Sequence, residues 1–208
     1  RDVIPESTAP LALRWTGLNE ADTSADAFFQ SNTAANWQEF TDAMRAYVVP
    51  SFNFVYADRA GNIGYFAPGL MPIRAQGEGT FPVPGWDSSH EWTGWIPFEE
   101  LPRTYNPEKD FVATANNRVV NDDYPYHIAY HWSSGFRAQR ITDLLAADSS
   151  VTIEDIRDIH AQTYSLPAEA LRPYLLAIQP GDKLQTQALD LVESWDLYLE
   201  ADRPGASI

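Results

Sequence analysis

The sequence predicts an α+β fold, because two different composition patterns follow each other along the chain. The first half is rich in aromatic residues, proline and glycine, which is typical of short strands joined by tight turns. The last third is rich in leucine, isoleucine, alanine and acidic residues at helical spacing. No flexible linker separates the two parts, so we expect a single domain over residues 1–208.

A β-hairpin is the clearest strand prediction in the first half. Two runs of large apolar residues, 52–57 and 63–67, flank a turn that contains Gly61. Alternation of large apolar residues with others predicts a further strand over 11–16. Short strands joined by tight turns are predicted between 69 and 107, where Pro, Gly and Trp are frequent, and another short strand is predicted over 111–115.

Helices are predicted where apolar residues recur every three or four positions behind a capping residue. Asn36, with Glu39 three positions later, predicts the start of a helix that runs to about residue 47. Four more are predicted in the last third: one starting near Phe136, one capped by Thr152, one bracketed or kinked by Pro167 and Pro173, and one with an apolar stripe from Leu184 to Trp195.

The charge balance excludes some classes of function. The 208 residues include 14 lysines and arginines against 29 aspartates and glutamates, a net charge of −15. Such an acidic chain repels phosphate, so we expect no nucleic-acid partner. The absence of cysteine excludes a thiol nucleophile and a zinc–thiolate site. No apolar run reaches the roughly 18–20 residues of a membrane span, and no signal peptide opens this chain.

Two histidines have the spacing of a metal pair. His127 and His131 would share one face of a helix, although the glutamate of a zinc-protease helix is missing between them. Histidines packed among aromatic residues are the more common alternative at such spacing.

Three tryptophans in the first half offer a binding surface. Trp86, Trp92 and Trp95 could stack on sugars, although core packing is the more common use of tryptophan in short strands. The corresponding alternative function is a non-catalytic module that binds carbohydrate or a protein partner through this Trp-rich face.

A pair of asparagines follows the run 111–115. Asn116 and Asn117 can start a turn, since asparagine tolerates the left-handed conformation. A side-chain amide at such a position is also a good hydrogen-bond donor to an oxyanion. Arg137 and Arg140 stand near the start of a predicted helix, where the dipole disfavours cations, so one of them is expected to be held for a partner.

Four blocks follow one another along the chain: Asn53–Tyr65, Glu91–Glu99, Ala113–Asn117 and Trp132–Ile141. In this order they resemble the β chain of the penicillin acylase family of N-terminal-nucleophile hydrolases. The resemblance covers nearly the whole chain. It implies an αββα sandwich, of which this chain supplies a part, with a strand-rich first half and a helical last third.

The resemblance implies an enzyme that cleaves the acyl–amide bond of N-acyl compounds such as penicillins, cephalosporins or acyl-homoserine lactones. In that family the serine that begins the β chain is the nucleophile, its own α-amino group is the base, and an acyl-enzyme forms. The family order places that serine before residue 1, so we expect an internal piece, inactive alone. The resemblance further implies that Asn116 donates to the oxyanion, that Arg137 supports the site, and that Phe28 and Phe52 contact the acyl group.

The resemblance also bears on cofactors, partners and location. Calcium is compatible with the complete parent, but one family calcium position falls near His127 or Ile128, where the nearby acids are Asp122 and Asp123, so no metal residue is assigned. The expected partners are a small N-acyl substrate and the remaining α and β chain segments. The family resemblance implies a periplasmic or secreted location.

Overall fold

The computed structural model describes residues 10–208, which divide into two units. The first unit comprises the residues up to Thr114 together with Arg118–Ser133, and it contains all the strands of the described chain. The second unit comprises Ala115–Asn117 and Ser134–Ile208 and is mainly helical. The predicted α+β fold is confirmed by this mixture.

Two short helices begin the first unit. Helix α1 spans Ser24–Ser31, and α2 spans Trp37–Ala43 and continues into a 3₁₀ turn. The Asn36 side chain caps α2 by accepting a hydrogen bond of 3.0 Å from the Glu39 N–H. The predicted helix after Asn36 is confirmed, whereas α1 has no side-chain cap and was not expected from the sequence.

Five strands form two small antiparallel sheets in the first unit. The strands are β1 Phe54–Ala57, β2 Ile63–Phe66, β3 Pro72–Arg74, β4 Trp92–Trp95 and β5 Arg103–Tyr105. Strands β1, β2 and β5 form one sheet in that order, and β3 pairs with β4 in the other. The predicted hairpin is confirmed as β1 and β2, and the short strands expected between 69 and 107 are β3, β4 and β5.

The turn of the β1–β2 hairpin is organised by Asp58. Its carboxylate accepts hydrogen bonds from the Asn62 side chain at 2.8 Å, from the Asn62 and Ala60 N–H groups, and from the Tyr56 hydroxyl at 2.9 Å. These bonds, above all the one from the Asn62 side chain, hold the pKa of Asp58 below its ordinary value. Gly61 supplies the positive φ of 87° that closes the turn.

An aromatic core fills the first unit between its helices and its larger sheet. Phe66 is fully buried and Met44 is 1% exposed. The Trp37 ring stacks on Tyr105 of β5 with centroids 5.1 Å apart and meets Tyr56 of β1 edge to face at 5.3 Å. Burial of these large side chains joins α2 to the sheet.

Four helices make up most of the second unit: α3 Phe136–Ala147, α4 Ile153–His160, α5 Leu166–Leu176 and α6 Lys183–Ser194. Thr152 and Asp155 form a reciprocal capping box at the start of α4. The hydrogen bonds from Thr152 lower the pKa of Asp155. Helix α5 packs against α6 and contacts α3. The four helices predicted for the last third are confirmed.

Two predicted strands do not form. The predicted strand 11–16 has no strand partner among the described residues, and its last residue, Thr16, begins a 3₁₀ turn. The predicted strand 111–115 also has no partner there, and an extended segment becomes a strand only by pairing its backbone. Within the first of them, Arg14 forms an ion pair with Glu91 and lies 4.5 Å from the centre of the Trp92 ring. No helix in the described part of the chain has the length and apolar character that a membrane crossing requires.

Candidate active site

Asn116 lies on an exposed bend between Ala115 and Asn117 in the second unit. Its φ of 58° places it in the left-handed region, which asparagine enters more easily than most residues other than glycine. The turn that the paired asparagines favoured is therefore present. The same bend presents the Asn116 side chain at the surface of this unit, so the turn and the donor interpretations do not exclude each other.

Arg137 holds this bend from the first turn of α3. Its Nη2 donates to the Ala115 carbonyl oxygen at 2.8 Å and to Asn116 Oδ1 at 3.0 Å. A cation at a helix N-terminus is disfavoured by the helix dipole. The two oxygen acceptors offset that cost, which accounts for an arginine at this unusual position.

The hydrogen bond from Arg137 determines which atom of the Asn116 amide can donate to a substrate. Because Oδ1 accepts from the guanidinium, the Nδ2 amino group on the other branch is directed away from Arg137. An exposed N–H donor of this kind can stabilise negative charge that develops on a carbonyl oxygen. The charge of the guanidinium further polarises the amide toward donation.

Arg140, the other arginine of this helix start, has different neighbours. Its Nη2 lies 3.3 Å from Gln162 Oε1, and its guanidinium lies 4.5 Å from the centre of the Tyr164 ring. Arg140 therefore joins α3 to the segment after α4. Of the two arginines that the sequence singled out, Arg137 is the one bonded to the asparagine bend.

Phe28 and Phe52 lie in the first unit and share a contact with Tyr47. The Phe28 and Tyr47 rings meet edge to face at 5.5 Å, and the Phe52 ring lies 6.4 Å from Tyr47. Both phenylalanines are about half exposed, whereas Tyr47 is 2% exposed. The structure thus groups the two predicted acyl-contacting residues around one buried aromatic ring.

Tyr47 is the residue of this aromatic group that sequence reasoning missed. From the sequence it was expected only at the end of the helix that starts after Asn36. Its hydroxyl is buried and has no hydrogen-bond partner within residues 10–208. Burial, followed by the charge of Asp22, raises the pKa of Tyr47, so its hydroxyl stays neutral. A lone tyrosine hydroxyl at an otherwise apolar helix position is the signal that was available.

The histidine pair does not form the predicted helix face, because residues 127–131 contain no helix. His127 Nδ1 lies 3.7 Å from Glu78, while the His131 ring contacts Tyr130. Asp122 is paired with Arg118 at 2.6 Å. Within residues 10–208, no three His, Cys, Asp or Glu residues are grouped to hold a metal ion. These residues do not fit a calcium site, and no step is assigned to one.

The three tryptophans that the sequence singled out show no flat stacking face. Trp92 and Trp95 pack edge to face, with centroids 5.4 Å apart and planes inclined at 68°. Arg14 already lies over the Trp92 ring. Trp86 is 86% exposed. A sugar platform would need parallel exposed rings, so this geometry gives no support to the binding-module alternative.

Comparison with known proteins finds relatives that are named as acylases. The penicillin acylase 2 proenzyme of Pseudomonas sp. is 35% identical over 204 residues, which are 98% of this chain and 26% of that protein. An acyl-homoserine lactone acylase of Pseudomonas fluorescens is 34% identical over 154 residues, which are 74% of this chain and 18% of that protein. The chain therefore spans about a quarter or less of the length of these curated relatives.

The fold has a solved counterpart. A thermostable penicillin G acylase from Alcaligenes faecalis matches 86% of this chain, and 33% of its own chain, with a TM-score of 0.69 and 29% identity. The family model described as penicillin amidase matches residues 2–208. Because that match covers almost every residue, the chain belongs to the penicillin amidase family of hydrolases.

Proposed function

We propose that the full-length protein containing this chain hydrolyses the amide bond of N-acyl compounds, with Asn116 as a donor to the oxyanion. The observation that carries the proposal is the bond from Arg137 Nη2 to Asn116 Oδ1, which directs the amide N–H groups away from the guanidinium. The relatives support the substrate class, since they are named as acylases of penicillin and of acyl-homoserine lactones.

The proposed reaction begins with a serine located before residue 1. Its Oγ attacks the amide carbonyl carbon while its own α-amino group accepts the hydroxyl proton. The carbonyl oxygen becomes anionic, and Asn116 Nδ2 donates a hydrogen bond to it. Collapse breaks the C–N bond, and the amine leaves with the proton from the α-amino group. Water then cleaves the acyl–serine ester, which releases the acid and restores the serine.

In the same proposal Phe28 and Phe52 contact the acyl group. Both rings are partly exposed and each contacts the buried Tyr47 ring, so each offers an apolar surface to an acyl group. Burial of an acyl chain or ring against such surfaces gives binding energy in proportion to the area removed from water. This arrangement favours an apolar acyl group and leaves the amine part of the substrate to other residues.

The proposal also treats residues 1–208 as one part of a single larger domain, completed by the remaining α and β chain segments. The fraction of each relative that the chain covers supports it. A purified chain of these 208 residues should show no amide hydrolysis. Turnover by the pure chain would contradict this part of the proposal. The periplasmic or secreted location stays a prediction, which fractionation of the native cells would test.

Two substitutions of Asn116 in the full-length protein test the central claim. Asn116→Ala removes the donor, and Asn116→Asp removes it while keeping an oxygen for Arg137. Both should lower kcat by about 10²–10³-fold, measured on a panel of N-acyl substrates. Asn121→Ala, at an exposed asparagine outside the bend, is the matched control. If Asn116→Asp kept wild-type turnover, the oxyanion role would be wrong.

A further inference from the structure

Asn117 closes the bend that carries Asn116. Its Oδ1 accepts a hydrogen bond of 3.1 Å from the Ala115 N–H, two residues earlier in the chain. The Ala115 carbonyl accepts from Arg137 at 2.8 Å. Both backbone polar groups of Ala115 are therefore bonded to side chains of the second unit. Ala115 itself is only 6% exposed, so neither group can turn to water without moving the chain.

We propose that Asn117 is a positioning residue for the oxyanion donor Asn116; the inference rests on the proposed function of Asn116. Asn117 acts through the backbone of Ala115 and does not touch the substrate. The bond from the Ala115 N–H fixes the start of the bend, and Arg137 fixes the Asn116 side chain. Together they determine where Asn116 Nδ2 lies.

The hydrogen bond from the Ala115 N–H to Asn117 matters because Asn116, between these two residues, has a left-handed conformation. A φ of 58° is less favourable for asparagine than an extended or helical backbone, so the bend persists only where its neighbours hold it. Without the Asn117 oxygen, the buried Ala115 N–H would lose its acceptor and the bend would relax toward a conformation that exposes it. A donor displaced by about 1 Å can lose up to 10²-fold in rate.

The test uses three variants of the full-length protein. Asn117→Ala should lower kcat about tenfold, because the loss of one neutral hydrogen bond to the Ala115 N–H weakens the positioning of the Asn116 donor. KM should change little, because the displaced donor serves the transition state more than the bound substrate. Asn117→Asp keeps an oxygen that accepts from the Ala115 N–H, so it should recover most of the lost kcat. Thermal unfolding shows whether each variant is folded.

A double substitution separates positioning from general stability. If Asn117 acts only through Asn116, then Asn117→Ala should have no further effect on kcat in a protein that already carries Asn116→Ala. Additive losses, an unchanged kcat in Asn117→Ala, or equal losses in the Ala and Asp variants would each overturn the inference. Failure of the proposed function looks different, because Asn116→Ala alone would then keep wild-type turnover.

Discussion

The indole ring of Trp37 occupies the space in which a side chain at position 64 would have to lie, since a Cβ on Gly64 would fall 2.5 Å from Trp37 Cζ3. The ring is held there by its stacking on Tyr105 and its edge contact with Tyr56. Helix α2 therefore packs onto β2 through a glycine that accepts no replacement without displacing the ring.

We predict that Gly64→Ala destabilises the protein by about 1–3 kcal/mol, as expected for overpacking of a filled core. Gly94→Ala is the matched control in β4, where an added Cβ would meet nothing within 4 Å. Because alanine restricts the unfolded chain more than glycine does, the control should be neutral or stabilising by up to about 1 kcal/mol. Urea unfolding of both variants measures the difference, and equal midpoints would contradict the packing argument.

We predict that Arg137→Ala lowers kcat by about ten- to a hundredfold, because a charged donor to two oxygens is lost. Arg137→Lys should recover only part of this, since a shorter, flexible ammonium does not reproduce the planar guanidinium. Arg157→Ala, at an exposed arginine of α4, is the control for removing a positive charge from the same unit. Wild-type kcat in Arg137→Ala would contradict a role for this residue in the site.

We predict that Phe52→Leu changes the ratio of kcat/KM for aromatic and straight-chain acyl substrates by about tenfold, because pocket shape discriminates acyl groups at that level. Phe28→Leu should act in the same direction, since both rings contact Tyr47. Phe81→Leu is the control, at a side chain that is 77% exposed. If the ratio of kcat/KM in Phe52→Leu and Phe28→Leu stayed at the wild-type value, as it should in Phe81→Leu, then Phe28 and Phe52 would not line the acyl pocket.

We predict that Asp58 stabilises the folded protein to an extent that depends on pH. Its pKa is lower in the folded protein than in the unfolded chain, so its stabilising effect is complete above the ordinary aspartate pKa of about 3.9 and is lost as the pH falls through the folded value. Asp58→Asn should therefore lower the urea midpoint at pH 7, and the difference from wild type should shrink at pH 3. A difference of equal size at both pH values would show that the charge of Asp58 is not involved.

Local signals explain which parts of the fold the sequence predicted. The caps at Asn36 and Thr152 act over three residues, and the helices begin where these caps predict. The segments 11–16 and 111–115 were predicted as strands, but a strand also needs a partner whose identity is not written in its own residues. The same limit applies to His127 and His131, whose spacing is meaningful only if a helix joins them.

In the candidate site, too, features set by neighbouring residues were predicted, and contacts between residues far apart in the sequence were not. The bend at Asn116 follows from a local preference of asparagine, and it is present. The partnership of Asn116 with Arg137 joins residues 21 positions apart, and spacing alone did not favour it. The family resemblance implied a role in the site for each of the two residues, but not the hydrogen bond between them. Tyr47 was expected only at the end of the helix after Asn36. Its contact with Phe28 depends on how α1 packs against the segment that follows α2, and no local pattern carries that information.

Ala115–Asn117 belong to the helical unit although they precede its helices in the sequence, and this affects how the unit can be transferred to another protein. A contiguous cut at Ser134 would carry Arg137 and all four helices into a new host and would leave both of its oxygen acceptors behind. The exchangeable module is therefore not a stretch of sequence. The module consists of the helical segment 134–208 and the separate residues Ala115–Asn117. A functional chimera therefore has to include both segments.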